Sequence, residues 1–177
     1  MQLVLVRHPQ PDIAPGICYG RADISTSIEA IAQVAASLRA AGLPGALPVY
    51  ASPLARCATL AAALEIPVRL DARLAEMDFG DWEMRSWDAI PHAEVDAWAA
   101  DLLHYRPGGG ENVLDVARRV AAFRNELRHP AALVICHAGT IRLLSALHAG
   151  GSIEQAALRA ASSAHRIGYG EVVVLKD

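Results

Sequence analysis

The sequence predicts an α/β fold, a three-layer α/β/α sandwich around a mostly parallel central sheet. Two observations carry this. Short β-rich apolar runs alternate with longer Ala/Leu-rich stretches of helical period, the order expected of strand and crossover helix. The chain also opens on a strand-like run of Leu and Val that reads as a buried strand. At 177 residues, 53% of them hydrophobic, the chain can bury one sizeable core, and a single domain over residues 1–177 is expected.

The elements follow in order. Strands are predicted at Gln2 to Val6, Pro48 to Ala51, Pro67 to Leu70 and Ala132 to Cys136. Two more, near His165 to Tyr169 and Glu171 to Leu175, are joined by Gly170 as a terminal hairpin. Helices are predicted from about Ser27 to Ala41, Leu54 to Leu64, Ala93 to Leu103, Val113 to Arg128 and Thr140 to Ala149. Thr26 or Ser27 caps the first and Gly42 stops it. Ser52 and Pro53 read as N-cap and first residue of the second helix, whose free amides would open toward a ligand. Asn112 reads as the cap of the fourth. Leu74 to Trp87 has no clean period and concentrates carboxylates and aromatics, as a functional loop does.

Formal charge is −3, which gives no general attraction to nucleic acid or anionic membrane. Cys18, Cys57 and Cys136 form no CxxC pair or ligand pattern, so neither a disulfide framework nor a structural zinc is expected. No apolar run reaches the ~18 residues of a membrane span. A soluble, cytoplasmic protein is expected. Nothing marks an oligomer interface, although a homodimer is compatible with the sequence.

Polar signatures stand at three strand ends: LVRHP, YASPLAR and VICHAGTIR. In an open α/β sheet ligands collect outside the carboxyl ends of the strands. These signatures place Arg7, His8, Ser52, Arg56, His137 and Thr140 along one rim. Two arginines and two histidines converging from distant segments make an anion site, and guanidinium forks suit phosphate.

The segments RHP, SPLAR, LAEMDFGDWE, GGGEN and CHAGTIR, in this order, resemble the histidine phosphatase superfamily with its phosphoglycerate mutase-like fold. GICYGRADI followed by EMDFGDWE looks like the α-ribazole phosphatase branch. The resemblance implies a metal-independent phosphomonoesterase without cofactor, acting on a small-molecule phosphomonoester: α-ribazole 5′-phosphate is the expected substrate, and a phosphatase of broad specificity or one for sugar phosphates or nucleotides is the alternative within the superfamily. His8 would be the nucleophile, Glu76 the proton donor and base, and Arg7, Arg56 and His137 the ligands of the non-bridging oxygens. Gln10, Tyr19 and Ala138 complete the substrate-binding set.

Physical chemistry agrees with the choice of His8. Attack needs a neutral imidazole, and Arg7 and Arg56 are expected to favour it by like-charge repulsion. With no carboxylate in RHPQP, the second ring nitrogen is expected to donate to a backbone carbonyl. One carboxyl group can serve both halves of the reaction, and a dianionic phosphate nearby favours its protonated form. The alternative for Glu76, Asp78, Asp81 and Glu83 is a solvated acidic loop; against a metal cluster stands the lack of HxH, DxD or paired His.

The sequence departs from the family pattern at Pro9 and Pro11, which withdraw two potential phosphate donors, at Ala138, and at Met84, where bulk is expected to reshape the pocket. Trp82, Trp87 and Trp98, with Tyr19 and Tyr105, could line a pocket for an aromatic leaving group or pack the core. A phospho-ligand binding domain is the alternative of another class, and the retained His8 and Glu76 argue against it.

Overall fold

In a computed structural model, residues 1–164 and 166–176 are described. Five strands, β1 (Gln2–Arg7), β2 (Val49–Ala51), β3 (Val68–Leu70), β4 (Ala131–Cys136) and β5 (Val172–Leu175), form one sheet in the order β3-β2-β4-β1-β5. All pairings are parallel except β1 with β5. The helices are α1 (Ile28–Ala40), α2 (Ala55–Ala63), α3 (His92–Ala100), α4 (Val113–Glu126), α5 (Ala138–His148) and α6 (Ile153–Ser162).

The pleat of β1 sorts its residues between two cores. Leu3 and Leu5 join Val116, Val120, Phe123, Ile141, Leu144 and Ala157 under α4, α5 and α6. Val4 and Val6 join Ala35, Leu38, Leu60 and Leu64 under α1 and α2. In β4, Val134 and Leu133 divide the same way. Both faces are therefore covered, which is why these strands read as unbroken apolar runs. A third cluster, Cys18, Trp82 and Ile90 with Trp98 of α3, stands apart from the sheet.

Caps fix where helices begin. Ser27 Oγ accepts from the Ala30 amide and Asn112 Oδ1 from the Asp115 amide at 2.8 Å, each satisfying one of the orphan donors of a first turn. The second helix begins differently from the sequence reading. Leu54 is its N-cap position, Ser52 Oγ accepts from the Leu54 amide, and Asp23 Oδ1 takes the Ala55 amide. The amides expected to face a ligand are thus used within the fold.

Two further corrections concern the C-terminal third. Helix α6 has no counterpart among the predicted helices, yet it carries a capping box between Ser152 and Gln155. The terminal hairpin does not form: residues 166–169 are not a strand, and His165 lies outside the described residues. β5 pairs with the open edge of β1 instead, whose unpaired backbone groups satisfy it. This leaves residues 166–169 to cross the end of the sheet beside Arg7.

Among the described residues no helix is long and apolar enough to cross a membrane.

Candidate active site

The register of the sheet assembles the site. Arg7 lies opposite Cys136 in the β1–β4 ladder, and the His8 amide donates to the Cys136 carbonyl at 3.0 Å. The residues that follow, His8 and His137, therefore leave the sheet side by side, with ring centroids 5.1 Å apart. The Ser52 amide donates to the Ile135 carbonyl at 3.0 Å, which brings the end of β2 to the same edge.

His8 is 2% exposed. Its Nδ1 lies 2.7 Å from the Pro9 carbonyl oxygen. A carbonyl only accepts, so Nδ1 carries the proton and Nε2 keeps its lone pair. The imidazole is pushed down to about 3: burial is the main cause, the Pro9 carbonyl opposes it, and Arg56 and Arg7 reinforce it. The charge repulsion expected from the sequence is present, but desolvation outweighs it. His137, fully buried at the start of α5, is also held well below the usual range, by burial first and then by Arg56. Its Nε2 lies 2.8 Å from Ser52 Oγ and 3.5 Å from Cys57 Sγ.

Two guanidiniums flank the histidines. Arg7 donates to the Ile167 carbonyl and lies over the Tyr169 ring, 3.9 Å from its centroid. Arg56, fully buried, donates to the carbonyls of Gly20 and Ala22. In both, Nε is buried without a hydrogen-bond partner, an expensive state for a charged donor unless a ligand takes it. Tyr19 and Tyr169 bring their hydroxyls to 2.9 Å, closing an arch between the two arginines.

Glu76 faces them. One carboxyl oxygen accepts from the Gly139 amide at 2.9 Å and the other from the Met77 amide at 3.0 Å. The Gly139 amide belongs to the first turn of α5. A Cβ at Gly139 would stand 2.4 Å from Glu76 Oε1, so a side chain there would displace the carboxyl. The segment carrying Glu76 is held from behind by Arg119, which donates to the carbonyls of Arg73, Ala75 and Glu76 and pairs with both oxygens of Glu111. Glu111 also accepts from the Asp78 amide, so it is structural; the Arg119 cation holds its carboxyl below the usual range against the opposing effect of burial.

Arg7, His8, Arg56, Glu76 and His137 line a cavity of about 380 Å³. Its lining also holds the apolar Phe79, Trp87, Trp98, Leu102 and Leu143, and the cation of Arg142. Of the aromatics singled out from the sequence, Tyr19, Trp87 and Trp98 line it, whereas Trp82 is 1% exposed and packs against Ile90 and Cys18. Tyr105 packs onto that same cluster.

Of the other expected site residues, Ala138 lines the cavity. Gln10 is exposed and outside its lining, since Pro9 and Pro11 are the buried members of that loop. Thr140 is buried with its hydroxyl turned to the Leu74 and Ala75 carbonyls. Met84 does not reshape the pocket. It is 54% exposed at φ +63°, a backbone conformation glycine would hold with less strain, and its amide donates to the Cys18 carbonyl of a distant segment at 2.8 Å.

The acidic loop is not simply solvated. Glu83 accepts from four backbone amides and Asp78 from the Gly80 amide. Among the described residues, no group of three or more His, Cys, Asp and Glu is placed to hold a metal ion. The three cysteines are buried and free, and burial pushes the Cys57 thiol up. Two contributors carry no clear sequence signal: Tyr169 falls in a run with the pattern of a strand, and Arg119 has the spacing of an exposed arginine on an amphipathic helix.

Comparison with known proteins agrees with this geometry. The chain is 31% identical over 171 residues to a glucosyl-3-phosphoglycerate phosphatase of Mycobacterium tuberculosis, covering 82% of this chain and 74% of the relative. It is 35% identical over 89 residues to an adenosylcobalamin/alpha-ribazole phosphatase of Escherichia coli, a match spanning 46% of this chain and only 44% of that protein. Among solved structures, the alpha-ribazole phosphatase of Shigella flexneri superposes with a TM-score of 0.82 at 26% identity, covering 99% of this chain and 90% of that one. A mycobacterial glucosyl-3-phosphoglycerate phosphatase complexed with VO3 gives 0.79 at 28%, covering 99% and 92%. The family model for the histidine phosphatase superfamily (branch 1) matches residues 3–168, and with the paired histidines set at neighbouring strand ends, the chain belongs to that superfamily.

Proposed function

We propose that the protein is a phosphomonoesterase that works through a phosphohistidine on His8. The observation that carries this reading is the 2.7 Å contact between His8 Nδ1 and the Pro9 carbonyl. It leaves a neutral imidazole with its Nε2 lone pair beside two arginines that each hold an unpartnered Nε–H. In the first half-reaction Nε2 forms a bond to phosphorus, the bond from phosphorus to the leaving oxygen breaks, and Glu76 gives that oxygen a proton. In the second, a water oxygen attacks phosphorus, Glu76 takes the water proton, and the N–P bond breaks to release phosphate and neutral His8. Phosphoryl transfer passes through a loose transition state, so positioning and charge do most of the work. Arg7, Arg56 and His137 supply it, with the arginines carrying more because Pro9 has no amide hydrogen.

For the substrate we propose α-ribazole 5′-phosphate. The stacked rings of Trp87 and Trp98 in the cavity lining suit a flat aromatic base, and the Shigella relative is named an alpha-ribazole phosphatase. A sugar phosphate is the second reading, supported by the longer sequence match to the mycobacterial glucosyl-3-phosphoglycerate phosphatase.

The test is phosphate release from a panel containing α-ribazole 5′-phosphate, glucosyl-3-phosphoglycerate and simple sugar phosphates, in excess chelator, for the wild type and His8→Ala. Turnover by the wild type alone is expected, with kcat/KM highest for α-ribazole 5′-phosphate. A wild type that binds phosphate and hydrolyses nothing makes the protein a phospho-ligand binding domain.

A further inference from the structure

The carboxylate of Glu83 does not reach the cavity, yet it is tied to Arg56 in its lining by a short chain of hydrogen bonds. Its Oε2 accepts from the amides of Gly20 and Ala22 at 3.0 and 3.1 Å. Its Oε1 accepts from the amides of Arg21 and Phe79, both at 2.9 Å. Three consecutive peptides thus converge on one carboxylate, which fixes their orientation. The Gly20 carbonyl belongs to the peptide whose N–H is that of Arg21 and points the other way, and the Ala22 carbonyl opens the peptide that follows. Gly20 O accepts from Arg56 Nη2, and Ala22 O from Arg56 Nη1 at 2.8 Å. Both Nη atoms of the buried guanidinium are therefore oriented by the segment that Glu83 clamps, and Nε is the guanidinium nitrogen with no partner.

The segment has few other ways to hold this shape. Residues 20–22 lie outside every helix and strand. Gly20 is pressed so closely on the Glu83 loop that a Cβ would come 1.9 Å from the Met77 carbonyl oxygen. On the far side Asp23 takes the Ala55 amide at the start of α2, the helix that carries Arg56. An anionic acceptor also polarises the peptide between Gly20 and Arg21 and makes the Gly20 carbonyl a better acceptor for the guanidinium.

We infer that Glu83 is a positioning residue for Arg56: through the peptides of residues 20–22 it sets the guanidinium so that Nε–H meets the phosphoryl oxygens. This rests on the reading of Arg56 as a phosphate ligand. Asp78 and Asp81, on the same loop, have no such connection: Asp78 accepts from Gly80 two residues on, and its contact with Arg21 is a loose 3.9 Å.

A double-mutant cycle tests it, read both as the affinity for inorganic phosphate by calorimetry and as kcat and KM on the best substrate. Glu83→Gln replaces one acceptor oxygen by an NH2 group that opposes the backbone donors. It is expected to weaken phosphate binding and lower kcat/KM by about tenfold or more, the scale of a charge-assisted hydrogen bond. In an Arg56→Ala background the same change is expected to cost less than about twofold, because its effect runs through the missing guanidinium. Glu83→Asp, which keeps the charge at shorter reach, should fall between, and it replaces Glu83→Gln in the cycle if the latter does not fold. Equal losses in both backgrounds overturn the inference and leave the enzyme reading standing. A wild type that binds phosphate but lacks turnover overturns the enzyme reading alone, since the cycle is still read in phosphate affinity. A wild type that does not bind phosphate overturns both.

Discussion

At the residue scale, the site is set by a few groups whose neighbours leave them little choice. His8 is neutral because it is buried, and its tautomer is fixed because the Pro9 carbonyl can only accept. Pro9, a departure from the family pattern that removes a donor, contributes the carbonyl that orients the nucleophile. Gly139 shows the same economy: its missing side chain is the space in which the Glu76 carboxyl sits. Gly139→Ala should therefore push the acid out of position while leaving the arginines in place. The expected outcome is a fall in kcat of about a hundredfold, the scale of a positioned general acid, with affinity for inorganic phosphate little changed. Equal loss of phosphate affinity and of kcat would place Glu76 elsewhere in the reaction. Much of this is legible in the sequence, since RHP, SPLAR and CHAGTIR each stand at a strand end. What is not legible is which polar residues the fold uses up internally. Thr140 and Glu111 sit in motifs as suggestive as those of Arg7 and Arg56, and only their carbonyl and Arg119 partners separate them.

At the element scale, the central strands and the capped helices can be read because local signals agree with burial. Ser27 and Asn112 cap the helices they are expected to cap, and β1 and β4 are apolar on both faces. The C-terminal third misleads for a physical reason. A hairpin and an edge strand have the same local pattern, and the choice is made by a distant partner, here the free edge of β1. Helix α6 has its signal in Ser152, Gln155 and the spacing of Ile153, Ala156, Ala157 and Ala160, so both its start and its buried face are legible in the sequence. The loop from Leu74 to Trp87 is recognisable as functional, while its organisation is hidden, because Glu83 and Arg119 bind backbone atoms and such partners leave no mark in a sequence.

At the scale of the whole molecule, a buried neutral histidine links the site to stability. The His8 imidazole goes from about 6.5 in the unfolded chain to about 3 in the fold. Between those values the unfolded chain binds more protons, so stability falls as pH is lowered through this window and is independent of His8 above it. One such group contributes a slope of about 1.4 kcal/mol per pH unit. The unligated wild type should lose melting temperature between pH 6 and 4 more steeply than His8→Gln, which keeps the carboxylates but not this imidazole. Parallel curves would mean that His8 is solvated and titrates normally.

The sheet order that places β1 beside β4 is what brings His8, His137, Arg7 and, through β2, Arg56 to one edge, and the account stands on His8 as the group that takes the phosphoryl. The direct measurement is to mix the enzyme with a turnover substrate carrying labelled phosphate, quench in alkali, where phosphohistidine survives, and map the label by peptide mass spectrometry. Label on His8 and none in His8→Ala is the expected outcome. Label on another residue, or substrate turnover by His8→Ala at the wild-type rate, would contradict it.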